Sequence, residues 1–167
     1  MGSRLGADAT YVYTRLGLRH QRAFGDWSLR LSVDSQLSSS ALLGSEQLSD
    51  GGAYAVRGYR ENSAFGDWGV VGSAELHAPG FSMIKGRDRV ELFGFIDGAS
   101  LRAHEDNDGT DLASAGAGVS YQFGHHFSLR ATYGWQLKAI DSPRGIYSGH
   151  GHISANVSWC ALRRCLA

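Results

Sequence analysis

Phe127-Ser-Leu-Arg-Ala-Thr-Tyr-Gly-Trp-Gln-Leu137 decides the fold. Phe127, Leu129, Ala131, Tyr133, Trp135 and Leu137 alternate with Ser128, Arg130, Thr132, Gly134 and Gln136. Side chains of a β-strand point to opposite faces at every step, so this segment has one wholly apolar face and one polar face. A helix of the same composition would scatter the apolar residues around its circumference. The pattern returns at 27–37, where Trp27, Leu29, Leu31, Val33 and Leu37 oppose Ser28, Arg30, Ser32, Asp34 and Gln36. It returns again where Ile153, Ala155, Val157 and Trp159 oppose His152, Ser154, Asn156 and Ser158. Further strands are read at about 10–20, 68–78, 89–99 and 112–123, giving about seven in all.

Composition agrees with an all-β chain and excludes several functions. Twenty-three glycines, two prolines and 11% aromatic residues favour many strands over packed helices. Sixteen basic residues balance sixteen acidic ones, and no run of like charge forms a basic groove, so nucleic acid is not an expected partner. Met1-Gly2-Ser3-Arg4 leads into no apolar signal segment, and no stretch approaches the roughly 18 apolar residues of a membrane helix.

A soluble β-sandwich also alternates, but three features separate this pattern from one. The strands run to about 10–12 residues, the length a tilted strand needs to cross a bilayer, against about 5 or 6 in globular sheets. Aromatic residues gather at strand ends (Tyr11, Tyr13, Trp27, Trp68, Tyr121, Phe123, Phe127, Trp135, Trp159), where an interfacial girdle would hold them. Short turns at Phe24-Gly25-Asp26 and Gly124-His125-His126 and a medium turn at 79–88 alternate with long connections at 38–67, 100–111 and 139–149. That alternation is the one outer-membrane barrels show between their periplasmic and external ends. The expected fold is therefore an antiparallel transmembrane β-barrel fragment. About seven strands cannot close such a barrel, and an open edge in lipid leaves backbone groups unpaired, so further strands are expected.

The longest connection reads Leu43-Gly-Ser-Glu-Gln-Leu-Ser-Asp-Gly-Gly-Ala-Tyr-Ala-Val-Arg-Gly-Tyr-Arg-Glu61, followed by Gly66-Asp67-Trp68-Gly69 and Ser73-Ala-Glu-Leu76. This closely resembles the C-terminal barrel half of the two-partner secretion transporters, the haemolysin-activation and filamentous-haemagglutinin secretion family. The most specific element is Gly51-Gly52 leading to Val56-Arg57-Gly58-Tyr59. In that family this element lies at the tip of the sixth external loop, folded back into the barrel. The strands that follow the loop match in number those of a family barrel of about sixteen strands.

The resemblance runs from about Tyr11 to Trp159. It implies that residues 1–159 form the C-terminal portion of the barrel and that 160–167, with Cys160 and Cys165, form an atypical tail. It implies residence in the bacterial outer membrane and export of a partner exoprotein such as a haemolysin or adhesin. The exoprotein would pass unfolded through the lumen, driven by its own folding outside, with no cofactor, no metal and no catalytic residue. The implied partners are that exoprotein, the outer-membrane lipid, and the barrel-assembly machinery during insertion. Family members also carry POTRA domains ahead of the barrel, and none is present in this sequence. Two other readings stay open: an assembly factor of the same superfamily, and a structural or adhesive barrel working through its long loops.

An arginine in the lumen needs a carboxylate, which its planar fork can grip through two nitrogens. In 89–99, Arg89, Glu91, Phe93, Phe95 and Asp97 share one face, and Val90, Leu92, Gly94, Ile96 and Gly98 the other, so Asp97 faces inward if the apolar face meets lipid. Asp97 is the expected partner of Arg57. Glu75, inward by the same alternation, could share the arginine or serve as an alternative acceptor. The family's inward motif of Phe followed two residues later by Asp is matched by Phe95 and Asp97. The glycine that the family has two positions further on is replaced by Ala99. The competing reading makes Arg57 and Asp97 a buried pair that merely holds the loop.

Other signals stay at background. Counting back from Gly109 puts His104 where a calcium loop needs its first carboxylate, so 104–111 reads as an acidic external loop. His125-His126 and His150-Gly-His152 lack a second ligand pair and read as polar turn residues. Phe-Gly-Asp-Trp occurs at Phe24 and Phe65, ahead of strands entering from opposite ends, so it is not a structural repeat. No nucleophile elbow, phosphate loop or catalytic carboxylate pair is present, and an enzyme is not expected.

Overall fold

The computed structural model describes residues 11–50, 56–60, 64–104, 109–124, 126–138 and 149–157. Within them lie nine strands: β1 (Tyr13–Phe24), β2 (Trp27–Ser38), β3 (Leu48–Asp50), β4 (Ala64–Gly66), β5 (Trp68–His77), β6 (Asp88–Arg102), β7 (Thr110–Phe123), β8 (Phe127–Gln136) and β9 (Gly149–Val157). Seven form one antiparallel sheet in the order β1-β2-β5-β6-β7-β8-β9, each long strand pairing with the next in sequence. β3 and β4 form a separate small hairpin inside the longest connection. The architecture is all-β, an open sheet of the kind that makes up part of a barrel.

Turn chemistry sets the short connections. Phe24 pairs with Trp27 across Gly25-Asp26, and Gly25 takes φ 62°, a conformation that glycine adopts without cost. Gly124 does the same at φ 54° between β7 and β8. In the 78–87 connection, Phe81 bridges back to Val90, and the Asp88 carboxylate accepts from the amides of Met83 (3.0 Å) and Ile84 (2.7 Å). The opposite end carries the long connections.

The two faces separate as alternation predicts. Outward lie Leu16, Leu18, Leu31, Val33, Val70, Leu92, Ile96, Tyr133, Trp135, Ile153 and Val157, with Ile96 61% and Ile153 79% exposed. An apolar face this broad is what the lipid-facing side of a barrel presents. No helix among the described residues is long and apolar enough to cross a membrane, which says nothing of a crossing by strands. Arg15, Arg19, Asp34, Gln36, Glu75, Asp97 and Arg130 lie inward, tied by polar contacts such as Arg19 Nη2 to Asp34 Oδ2 (2.6 Å) and Arg15 Nε to Gln36 Oε1 (2.6 Å).

Ile96 stands near the middle of β6. Ile96→Arg is expected to cost about 2–4 kcal/mol of insertion free energy. It should lower the fraction of folded barrel seen on unheated gels, whereas Ser154→Arg, on the inner face, should not. Equal insertion of the two variants would refute this assignment of faces.

Three details differ from the sequence reading. β1 begins at Tyr13 and runs to Phe24, and β9 begins at Gly149, earlier than the alternation alone suggests. Trp27, Trp68 and Trp135 are exposed as girdle residues should be, but Tyr13 is not one of them. Its hydroxyl donates to Glu46 Oε2 (3.0 Å), and the Arg15 guanidinium sits 5.0 Å from its ring centroid. Tyr13 shares the parity of Arg15 and so points inward. Trp159 and the 160–167 tail lie outside the described residues.

The second Phe-Gly-Asp-Trp departs from the first in structure as well as in polarity. Asp67 is fully buried, and its carboxylate accepts from the amides of Leu42 (3.0 Å) and His104 (2.9 Å) and from Gln47 Nε2 (3.0 Å). One carboxylate thus ties together two external connections and the foot of β5. Gln36, also buried, donates to the carbonyls of Asp67 (3.1 Å) and Glu46 (3.2 Å).

The hydrophobic core lies between the inner face of the sheet and the folded-back connection. Val56, Tyr59, Ala64, Ala99, Leu101 and Leu112 form it, with Leu48 and Val71 packed against it. Ala99 keeps the ladder regular, opposite Val71 and Leu112, and its methyl joins this core.

Candidate functional site

Residues 56–60 enter as a turn that presses onto the inner face of β5 to β8. Val56, Arg57, Gly58 and Tyr59 are all buried, although they belong to the longest connection between strands. Gly58 makes the approach possible. Its φ is +96°, a region that favours glycine, and a Cβ there would stand 2.9 Å from the carbonyl carbon and oxygen of Gly134. A Cβ on Gly134 would in turn lie 2.8 Å from the Arg57 carbonyl carbon. Two backbones touch at glycine on both sides.

The Arg57 guanidinium is held from three directions. Nε donates to Asp97 Oδ2 (2.8 Å) and Nη2 to Asp97 Oδ1 (2.7 Å), the two-point grip that a planar fork permits. The Arg57 amide adds a third bond to Asp97 Oδ2 (3.0 Å). Nη2 also reaches Ser73 Oγ (3.0 Å), which itself donates to Asp97 Oδ1 (2.7 Å). Nη1 donates to Glu75 Oε1. Glu75 therefore binds together with Asp97 rather than in its place.

Phe95 supplies the floor. Its ring centroid is 3.6 Å from the Arg57 guanidinium carbon, so cation–π attraction adds to the ion pair. The ring lies across Gly116 of β7, where any Cβ would overlap it. Tyr59 anchors the far side of the turn: its hydroxyl accepts from the Ala113 amide (3.2 Å) and lies within donor range of the Ala113 (2.9 Å) and Lys138 carbonyls. The Gly58 carbonyl is met by Gln136 Nε2 (2.8 Å) and His150 Nδ1 (2.9 Å).

Of the residues singled out from sequence, Val56, Arg57, Gly58, Tyr59, Glu75, Phe95 and Asp97 are brought into one cluster, while Gly51 and Gly52 lie outside the described residues. Ser73, His77, Gly116, Gly134 and His150 were not foreseen in the cluster. Ser73 and His77 share the parity of Glu75, and glycines at inward positions such as Gly116 and Gly134 mark close approach, so signals for these four were present. His150 gave none, because its contact depends on where the turn docks.

The cluster forms one wall of an inner cavity of about 830 Å³, whose lining includes Arg30, Ser32, Arg57, Glu75, Arg130 and His152. Chemically the arrangement is a clamp: buried charge pairs contribute little net stability but can specify one conformation, because each partner strands the other if it leaves. Residues 4–121 match the family model described as haemolysin secretion/activation protein ShlB/FhaC/HecB, a stretch that includes the whole of residues 56–60, β5 and β6. No curated protein matches the chain.

Proposed function

Since the chain belongs to the haemolysin secretion/activation family ShlB/FhaC/HecB, whose members are outer-membrane transporters, we propose that it is the barrel part of a transporter passing a partner exoprotein through its lumen. In this reading residues 1–159 belong to the barrel and 160–167 to a tail beyond it. Residues 56–60 are the working element. Docked on Asp97 and Glu75, they occupy space that a polypeptide would need, and they move or reshape when the exoprotein passes. The observation that carries the reading is the inward burial of Arg57 on Asp97, by a connection whose ends lie at the external rim. The family match favours export over the assembly of other barrels. The partners expected with it are an exoprotein of the haemolysin or adhesin type, outer-membrane lipid, and the assembly machinery that inserts the barrel.

The route can be mapped by placing a photo-crosslinking amino acid at Ser32 or Thr132, both on the cavity wall, and at Val33 or Ile96 on the outer face. With the full-length transporter engaged in export, the inner positions are expected to capture the exoprotein and the outer positions to capture none. Crosslinks confined to Val33 and Ile96 would remove the lumen as the path.

A further inference from the structure

Arg57 is not the only arginine on Glu75. Arg130 of β8 donates from Nη2 to the same oxygen, Glu75 Oε1, at 2.7 Å. The other oxygen, Oε2, is held by His77 Nε2 at 3.0 Å, and the buried His77 ring turns Nδ1 toward Glu91 Oε2 at 3.6 Å. Two guanidiniums thus converge on one carboxylate oxygen.

Their berths are built alike. The Arg130 guanidinium carbon lies 3.9 Å from the Phe93 ring centroid, as that of Arg57 lies 3.6 Å from Phe95. Phe93 and Phe95 are successive inward residues of β6, lying across Gly118 and Gly116 of β7, where a Cβ would overlap each ring. His77 stacks on Phe93 with centroids 4.9 Å apart, which fixes the second berth. The berths differ in one respect: Arg57 also has Asp97 and sits 6% exposed at its side chain, whereas the Arg130 side chain is 33% exposed to the cavity and has Glu75 as its sole carboxylate among the described residues. Two further arginines line the cavity: Arg19, which pairs with Asp34 (2.6 Å), and Arg30, whose Cα is paired with that of Glu75 and which makes no ion pair among the described residues.

We propose that Arg130 is a positioning residue for the 56–60 turn: it shares Glu75 with Arg57 and keeps that carboxylate paired when the turn withdraws. This rests on the reading of the turn as a mobile element. With Arg130 present, withdrawal leaves only Asp97 without an arginine, and Ser73 Oγ still donates to it. Repulsion between two guanidiniums at one oxygen acts in the same direction. Without Arg130, Glu75 would lose its last arginine on withdrawal and keep only the His77 contact, and a buried carboxylate stripped of its arginines is costly. The arginine that looks like an extra fastener therefore makes release easier.

The test uses the full-length transporter in outer membranes, with Cys160 and Cys165 replaced by serine and Val56→Cys introduced as a reporter, since Val56 is fully buried while the turn is docked. Labelling by a membrane-impermeant maleimide, counted only on folded barrel, reads withdrawal. Arg130→Gln is expected to slow labelling about tenfold, the size of one charge-assisted hydrogen bond, and Arg130→Lys to fall between it and the parent. If Arg130→Gln does not insert, Arg130→Lys supplies the comparison. Labelling equal to or faster than the parent in the variant that inserts overturns the proposal, because a merely structural arginine would loosen the turn or leave it alone. Arg57→Ala tests the underlying reading separately: it should speed labelling whether or not Arg130 is present, and its failure to do so would reject the mobile turn itself.

Discussion

Arg57→Ala in the full-length transporter is expected to abolish export while leaving the barrel inserted. The substitution removes the bonds from the side chain to Asp97, Glu75 and Ser73 and the stack on Phe95. It leaves Asp97 buried with a charge, and breaking a buried pair in this way costs about 3–5 kcal/mol. The strands and their ladders are untouched, so the loss falls on the docked turn. The geometry makes the partners unequal. Asp97→Ala leaves Arg57 its contact with Glu75, so it should impair export less than Arg57→Ala does. Glu75→Gln should be milder still, since the bidentate pair with Asp97 survives. Arg57→Lys should rescue poorly, because an ammonium cannot hold Asp97 at two points while also reaching Glu75. The Arg57→Ala/Asp97→Ala double variant should export about as badly as Arg57→Ala alone, as expected of residues that share one interaction. Export assays at matched levels of folded transporter decide the matter. Normal secretion by Arg57→Ala would reduce the cluster to a structural remnant.

Gly134→Val should give the same export defect without touching a charge. The added side chain begins where the Arg57 carbonyl carbon would be 2.8 Å away, and backbone cannot move aside as a flexible side chain can. The 56–60 turn must then lift from β8, pulling Arg57 out of reach of Asp97. Valine itself suits a β-strand, so insertion should be preserved. Gly58→Ala should act from the other side, combining the 2.9 Å approach to Gly134 with a left-handed φ that costs an ordinary residue about 1–2 kcal/mol. Protease added to whole cells should cut the external connection faster in both variants. Combining Gly134→Val with Arg57→Ala should add little, because each already undocks the turn. Wild-type protease resistance together with full export in Gly134→Val would show that close backbone contact is not what holds the turn.

The sequence by itself determined the strands, their faces and the nature of the anchor. Side chains in a strand alternate with a period of two, so Leu129, Tyr133 and Ile153 had to share a face opposite Arg130 and His152 once one face met lipid. The same parity placed Phe95 and Asp97 inward, and an arginine turned into the lumen left few carboxylates to choose from. What parity cannot supply is distance between segments that are far apart in the chain. Whether Glu75 replaced or joined Asp97, that Arg130 meets Glu75 across 55 positions, and that Gly58 rests on Gly134 were decided only when the sheet curled and the turn folded back. Tyr13 shows the limit most plainly: an aromatic at a strand end reads as a lipid anchor, yet register carried it to the inner face, where Glu46 of a different connection receives its hydroxyl. Alternation is a local property of the backbone, whereas the clamp is a property of which strands become neighbours, and only the tertiary structure contains that.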